Sequence, residues 1–363
     1  MPLKKYFILL IFSLPAITCV AQFVGLNPKE ITTLKELVQN NPDVNKLLVK
    51  IQHTADEALH NNPDPRDTII SEGHLNNHPD KIASERSMKD YHKIYSLALV
   101  YKIKGEDSYR KKAIEYLKAW ASVNHPQGNP INDTKFDELF EGYDMLRTGL
   151  SSEDRNIIDT WINTIAQLEI RSLKKGKATS FTNWHSHRLK LVGQVGFILN
   201  NEEYIKYATE GLRTQINVNL NSDGTSWDFL ERDALHYHAY DLEPMLYLAI
   251  IIKRATGSDD FSYVSPNQSS IKKSVDWFLP YVTGKKTHQE FTNSKVAFDA
   301  ARAKNNEKGY AAGSLFDPGN GIYVISLAAY FDRTYSNALE KGTAGKTEFP
   351  NWQIVLNNIR LGN

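Results

Sequence analysis

Cysteine is almost absent. Cys19 is the only one in 363 residues, and it lies in the opening stretch "MPLKKYFILLIFSLPAITCVAQF". There Lys4 and Lys5 precede an apolar run from Tyr6 to Thr18, and small residues lead up to Gln22. This is the pattern of a secretory leader cut after Ala21, with an apolar part too short for a comfortable membrane span. A lipid on Cys19 is the lesser alternative, because Thr18 in "AITC" stands where a lipobox wants Gly, Ala or Ser. Export to the periplasm or medium is therefore expected, with 1–21 as leader and 22–363 as one mature domain. The mature chain then has no cysteine, which excludes disulfides, thiolate metal sites and a cysteine nucleophile.

An excess of one charge is missing too. Without Lys4 and Lys5 the 43 basic residues become 41 against 42 acidic ones, a net charge of −1. No global field would draw in a polyanion, so an acidic ligand needs a local basic patch, and nucleic acid is excluded as the main ligand. The chain also lacks alternating strand patterns of any length, Gly/Ser linkers, composition shifts and a visible repeat period. One domain acting as a monomer, without a membrane span, is the simplest expectation.

Helical spacing of apolar residues is abundant: "ITTLKELVQ", "YHKIYSLALVYKI", "YRKKAIEYLKAWASV", "DELFEGYDMLR", "IIDTWINTIAQLEI", "LVGQVGFIL", "LEPMLYLAIIIKRA" and "IKKSVDWFLPYV". Ser151 or Ser152 and Asn201 read as N-caps followed by acidic first turns. The fold class is all-α, a ring or solenoid of helical hairpins; "GNGIYVISLAAYF" alone suggests a short strand. Four long irregular segments interrupt the helices, "NNPDPRDTIISEGHLNNHPDKIAS", "NHPQGNPINDTK", "SLKKGKATSFTNWHSH" and "NSDGTSWDFLERD". Loops of that length in a compact domain are commonly functional.

Two polar clusters each open a helix after such a loop. The first is "TNWHSHRLKLVGQ", with Asn183, His185, His187 and Arg188, preceded by the basic residues Arg171, Lys174, Lys175 and Lys177. The second is "ERDALHYHAYDL", with Arg232, His236, Tyr237, His238 and Tyr240. On a helix, residues two apart point about 200° from each other, so neither His-x-His pair can face one ligand there. Arg232 can reach Tyr237 only if Asp233 to Leu235 break the helix or start a new one. The bland readings are an N-cap for Asn183, a packed core aromatic for Trp184, a solvated loop for the lysines and satisfied structural roles for single histidines.

These two stretches, with "GNPINDTKFDELFEGYDMLR" and "EFTNSKVAFDAARAKNNEKGY", resemble the alginate lyase superfamily over roughly residues 80 to 330. The resemblance implies a single α/α toroid, an incomplete barrel of hairpins with long loops over a groove, and β-elimination on a uronate polysaccharide. Alginate is the implied substrate, with no cofactor or metal. In such a reaction a base removes the C5 proton, donors offset the adjacent carboxylate as the enediolate forms, and an acid protonates the departing O4. By the same resemblance Tyr237 in "YHAYDL" is base and acid, Asn183 neutralises the carboxylate, and Arg232 favours the phenolate. Trp184 stands where relatives carry His, so the imidazole is expected from His187, one turn from Asn183 at i+4, with His185 second, unless His236 or His238 supplies it. His185, Arg188, His236, His238, Tyr240, Asn129 and Lys177 are expected to contact substrate.

Three rival readings remain open at this point. A glycosidase would need a carboxylate pair, for which Asp228, Glu231, Asp137 and Glu138 are candidates. A zinc enzyme would need "HSH" and "HYH" to converge, and no HExxH accompanies them. A non-catalytic helical-repeat binder would need a period that is not visible.

Overall fold

The computed structural model describes residues 22–342 and 348–362; the expected leader with Cys19 lies outside them. Every segment with helical spacing forms a helix, from Pro28–Asn40 through Ile271–Val282. The caps act as their side chains suggest. Ser151 accepts from the Asp154 amide at 3.1 Å and Asn201 from the Tyr204 amide at 3.1 Å, each contributing about 1 kcal/mol. The strand expected in "GNGIYVISLAAYF" does not form. Asp317 caps a 3₁₀ turn, Pro318–Gly321, which runs directly into the helix Ile322–Ala328. Pro318 at the first position of that turn cannot donate to a sheet and is already set for helix. Among the described residues the only paired strands are Gln289–Glu290 and Ser314–Leu315, two residues each and antiparallel.

The helices form an α/α toroid. An inner set, Lys89–Lys104, Asp137–Leu146, Asn183–Leu199, Leu235–Thr256 and Ile322–Ala328, packs each helix against the next. An outer set covers it. The inner helices are buried nearly all round; in Asn183–Leu199 every residue but Trp184 and Leu199 is buried. The outer Asp107–Val123 buries one stripe, Tyr109, Ala113, Tyr116, Leu117 and Trp120, the signature of a helix wet on one face. Close approach is set by small residues. A Cβ on Gly142 would lie 3.1 Å from the Ile94 carbonyl oxygen, so glycine lets the first two inner helices touch.

The N-terminal turns of four inner helices, at Lys89, Asp137, Asn183 and Leu235, open toward one cavity. Their macrodipoles place partial positive charge at its mouth. This supplies locally the field that a net charge near zero denies globally.

The core also holds carboxyls. Glu169 is fully buried 3.4 Å from Arg188 Nε, with Asp133 buried beside it. Loss of solvent pushes Glu169 up and raises Asp133 to about 7. The same cause raises Glu141 to about 7 and Asp228 to about 6. Carboxyls held above their unfolded value of about 4 give stability that is complete below that value and lost as pH climbs through the folded values. Calorimetry should therefore record a melting temperature falling by several degrees from about pH 5 to about pH 8, with a shallower slope in Glu169→Gln. A flat or rising wild-type profile would contradict this account.

Candidate active site

The cavity has a volume of about 770 Å³. Its reactive wall is built at a break between two helices. Ser226 caps the short helix Trp227–Arg232, accepting from the Phe229 amide at 3.2 Å. Asp233 ends that helix in the left-handed region, φ 48°. The next helix, Leu235–Thr256, starts at once because the Glu290 carboxylate accepts from the amides of Leu235 at 2.8 Å and His236 at 3.1 Å. An acidic group there satisfies orphan donors and matches the helix dipole. The break is what allows Arg232 to fold back over Tyr237, its guanidinium carbon 3.8 Å from the ring centroid.

Tyr237 is buried but for an edge facing the cavity, against Ala234 and Phe291. Its hydroxyl accepts from Arg302 Nη1 at 2.5 Å. Arg302 comes from the helix Ala297–Lys304, as does Asp299, which accepts from Arg232 Nη1 at 2.5 Å. Asp299 also receives Ser294 Oγ at 2.7 Å. The two arginines thus divide their work: Arg232 covers the ring face with its charge answered by Asp299, and Arg302 addresses the oxygen.

Asn183 opens its helix on the same wall. The Asp228 carboxylate accepts from its backbone amide at 2.9 Å and from its side-chain Nδ2, and accepts also from Asn219 Nδ2 at 2.8 Å. Asp228 therefore fixes the carboxamide at the cavity wall. Desolvation raises Asp228 to about 6 against the pull of these hydrogen bonds.

His236 lines the cavity between Tyr237 and Tyr310, its ring centroid 5.2 Å and 5.8 Å from theirs. Burial first, then the charges of Arg302 and Arg232, lower it to about 4, so the imidazole is neutral near pH 7. Tyr240 lies one turn farther on, also on the wall. Lys81, Lys89, Lys135 and Glu138 also line the cavity.

Several expected contacts fall elsewhere. His187, expected as the site's imidazole, is fully buried behind the wall, with Nδ1 2.6 Å from Thr134 Oγ1 and its ring packed on Tyr240. The i+4 step from Asn183 takes it deeper into the toroid instead of along the groove. His185 is buried and lowered to about 4 by desolvation and by Arg188. Arg188 spends its donors on the end of the preceding helix and loop, at the Glu169 carbonyl, Thr179 carbonyl and Ser172 Oγ. His238 is enclosed between Ser226 Oγ and the Ser274 carbonyl. Asn129 caps the helix Pro130–Asp133, and Lys177 is exposed away from the cavity. Trp184, read as core, is half-buried on the cavity wall.

Sequence reasoning missed Arg302, Tyr310 and Lys135. Arg302 and Tyr310 both lie in "EFTNSKVAFDAARAKNNEKGY", which was singled out as a stretch, but nothing in it distinguishes one cation among Lys295, Arg302, Lys304 and Lys308. The rival carboxylates are occupied: Asp137 by Lys190 at 2.5 Å, Glu138 by His92 at 2.8 Å and Glu231 by Lys295 at 3.3 Å. The two His-x-His pairs diverge, and no three His, Cys, Asp or Glu among the described residues are grouped to hold a metal ion.

The alginate lyase family profile matches residues 38–288, more than half of the chain. The chain belongs to the alginate lyase family. Asn183, Arg232 and Tyr237 fall inside the matched span, and Arg302 lies beyond it. An alginate lyase of Stenotrophomonas maltophilia is 23% identical over 198 residues, covering 47% of this chain and 25% of that protein; the match thus spans about a quarter of that relative's length. An alginate lyase from Bacteroides ovatus shares the fold at TM-score 0.67 and 15% identity, over 91% of this chain and 96% of that one. Alginate lyase A1-III from Sphingomonas species A1 does so at TM-score 0.53 and 16% identity, over 85% and 97%. A complex of alginate lyase A1-III with a tetrasaccharide aligns over 71% of this chain and 79% of that one, at TM-score 0.53 and 17% identity.

The two histidine positions separate by experiment. His236→Ala should lower kcat/KM by about 10²-fold with a near-native melting temperature. His187→Ala should lower the melting temperature by several degrees and leave most of the kcat of the folded fraction. The reverse pattern would return the catalytic imidazole to His187.

Proposed function

We propose that this protein is an exported polysaccharide lyase whose mature chain, 22–363, cleaves a uronate polymer, alginate first among them, by β-elimination. The observation that carries the reading is the Arg302–Tyr237 hydrogen bond at 2.5 Å, made in a cavity that also presents Asn183 and His236. A tyrosine hydroxyl held by a guanidinium, beside neutral donors for a carboxylate, suits removal of a proton next to that carboxylate.

In this reading the sugar carboxylate lies against the Asn183 amide and the neutral His236 ring. Their hydrogen bonds strengthen as the enediolate gathers charge, which lowers the barrier and not only the binding energy. Tyr237, as phenolate facing Arg302, takes the C5 proton. The C4–O4 bond then breaks, a C4–C5 double bond forms, and Tyr237 returns its proton to O4, so the enzyme ends as it began. Family membership, the toroid and the tetrasaccharide complex of a structural relative support the substrate class.

The test is to incubate the protein with mannuronate-rich and guluronate-rich alginate, glucuronan, hyaluronan, pectate and heparin and to follow ultraviolet absorbance. Elimination creates an unsaturated acid that absorbs, and hydrolysis creates only new reducing ends. New reducing ends without absorbance would overturn the lyase reading in favour of a glycosidase built on Asp137 or Glu138.

A further inference from the structure

In the proposed elimination, the return of the proton to O4 is the step for which the Tyr237 oxygen is worst placed alone. Only 6% of Tyr237 is exposed, and its oxygen is already held by Arg302 Nη1 at 2.5 Å. Removal and delivery of the proton also take place at different substrate atoms, C5 and O4, two bonds apart. A second hydroxyl in contact with the first lets each of those atoms face its own group.

Tyr310 brings such a hydroxyl. It is half-buried on the wall of the same cavity. Gly309, at φ 87°, turns the chain just before it, a conformation that glycine adopts without strain, and the Tyr310 amide donates to the Glu307 carbonyl at 3.2 Å. The Tyr310 ring stacks on Phe291, with centroids 5.1 Å apart and planes at 29°, and Phe291 in turn meets Tyr237 edge-on at 6.2 Å. Arg302 joins the same two tyrosines: its guanidinium carbon lies 4.7 Å from the Tyr310 ring centroid while Nη1 donates to Tyr237 Oη. Burial first, then the charge of Tyr237 and a hydrogen bond with it, hold the Tyr310 hydroxyl above the ordinary phenol range against the pull of Arg302. Tyr310 therefore carries its proton near neutral pH, as an acid must before it acts. Tyr240, perpendicular to Tyr237 at 6.4 Å, has no such hydrogen bond to it.

We propose that Tyr310 is a second catalytic tyrosine, which passes the proton from Tyr237 to the departing O4. This rests on the lyase reading and names the route of its last step. Tyr310 gives its hydroxyl proton to O4 as the C4–O4 bond breaks, and its oxygen takes from Tyr237 the proton that came from C5. Both tyrosines end as they began, and the proton lost by C5 is balanced by the one gained at O4.

The test compares two leaving groups. One substrate is mannuronate-rich alginate, whose departing sugar needs a proton. The other is a mannuronate trimer bearing a 4-nitrophenyl ether at the O4 of its non-reducing end, which leaves as nitrophenolate and needs none. Tyr310→Phe keeps the ring and its stacking, so the melting temperature and KM should stay near wild type while kcat on alginate falls by about 10²-fold. On the ether the same variant should remain within about threefold of wild type, because the step that uses Tyr310 is bypassed. Tyr237→Phe should be slow on both substrates, since C5 must lose its proton in either case. An equal fractional loss in Tyr310→Phe on both substrates, or no loss on alginate, would overturn the relay. A wild-type protein that gave neither ultraviolet absorbance nor nitrophenolate would overturn the lyase reading, and the relay with it.

Discussion

Tyr237→Phe is expected to leave the fold intact and to reduce elimination by about 10³-fold or more. The change removes one oxygen. Its ring contacts, with Arg232 above the face and Phe291 at the edge, remain available to phenylalanine. In the proposed mechanism what disappears is the group that both takes the C5 proton and returns one to O4, so two proton transfers lose their agent together. The measurement is initial rate on a uronate polymer, with circular dichroism and melting temperature as controls. Tyr240→Phe provides the comparison. Tyr240 shares the wall, but burial holds its hydroxyl well above the ordinary phenol range, with the charge of Glu243 adding to the effect. It is therefore a poor base, and its loss should cost far less. If Tyr240→Phe abolished activity while Tyr237→Phe kept it, the base would be misassigned.

The fold was legible in the sequence because the outer helices carry one apolar stripe at helical spacing and the inner ones carry apolar runs of helical length. Caps such as Ser151 and Asn201 were legible as well, since their chemistry is local. Tyr237, Asn183 and Arg232 were legible only through family resemblance; periodicity alone said that Arg232 could reach Tyr237 if the chain broke between them, and Asp233 in the left-handed region makes that break. The histidines show where local reasoning fails. His187 and His236 both sit near a helix start, and which one meets solvent depends on the rotation of its helix within the toroid. That rotation is set by packing far along the chain, where Leu189, Val192 and Val195 are buried among neighbouring helices. Asn129, expected to contact sugar, caps a turn instead, its side chain accepting from the amides of Ile131 and Asn132. Arg302 was invisible for a different reason: it reaches Tyr237 across 65 positions of sequence, a contact that spacing rules cannot encode.

Arg302→Gln should lower kcat/KM by about 10² to 10³-fold, more than Arg232→Gln, although Arg232 is the residue that the family pattern selects. The difference follows from their partners. Arg232 gives Nη1 to Asp299 at 2.5 Å, so its charge is largely offset before substrate arrives. Arg302 stands 3.9 Å from the same carboxylate and 3.8 Å from Glu307, both beyond hydrogen-bond distance, and its Nε is buried with no acceptor. Its strongest contact is therefore the Tyr237 oxygen at 2.5 Å, where a guanidinium stabilises negative charge as it develops. Glutamine can still donate a hydrogen bond but carries no charge, so the loss should fall mainly on kcat, whereas a structural lesion would lower the melting temperature as well. Arg302→Lys, which restores charge without the planar fork, should fall between the two. Glu307 also accepts from the Asn76 amide at 2.7 Å, and so anchors the 71–78 loop whose Ser71, Glu72 and Gly73 edge the cavity. Arg302 is thus the point at which Tyr237, the Asp299 cluster and that loop meet, and a fall in kcat with little change in melting temperature would assign its effect to the tyrosine and not to the loop.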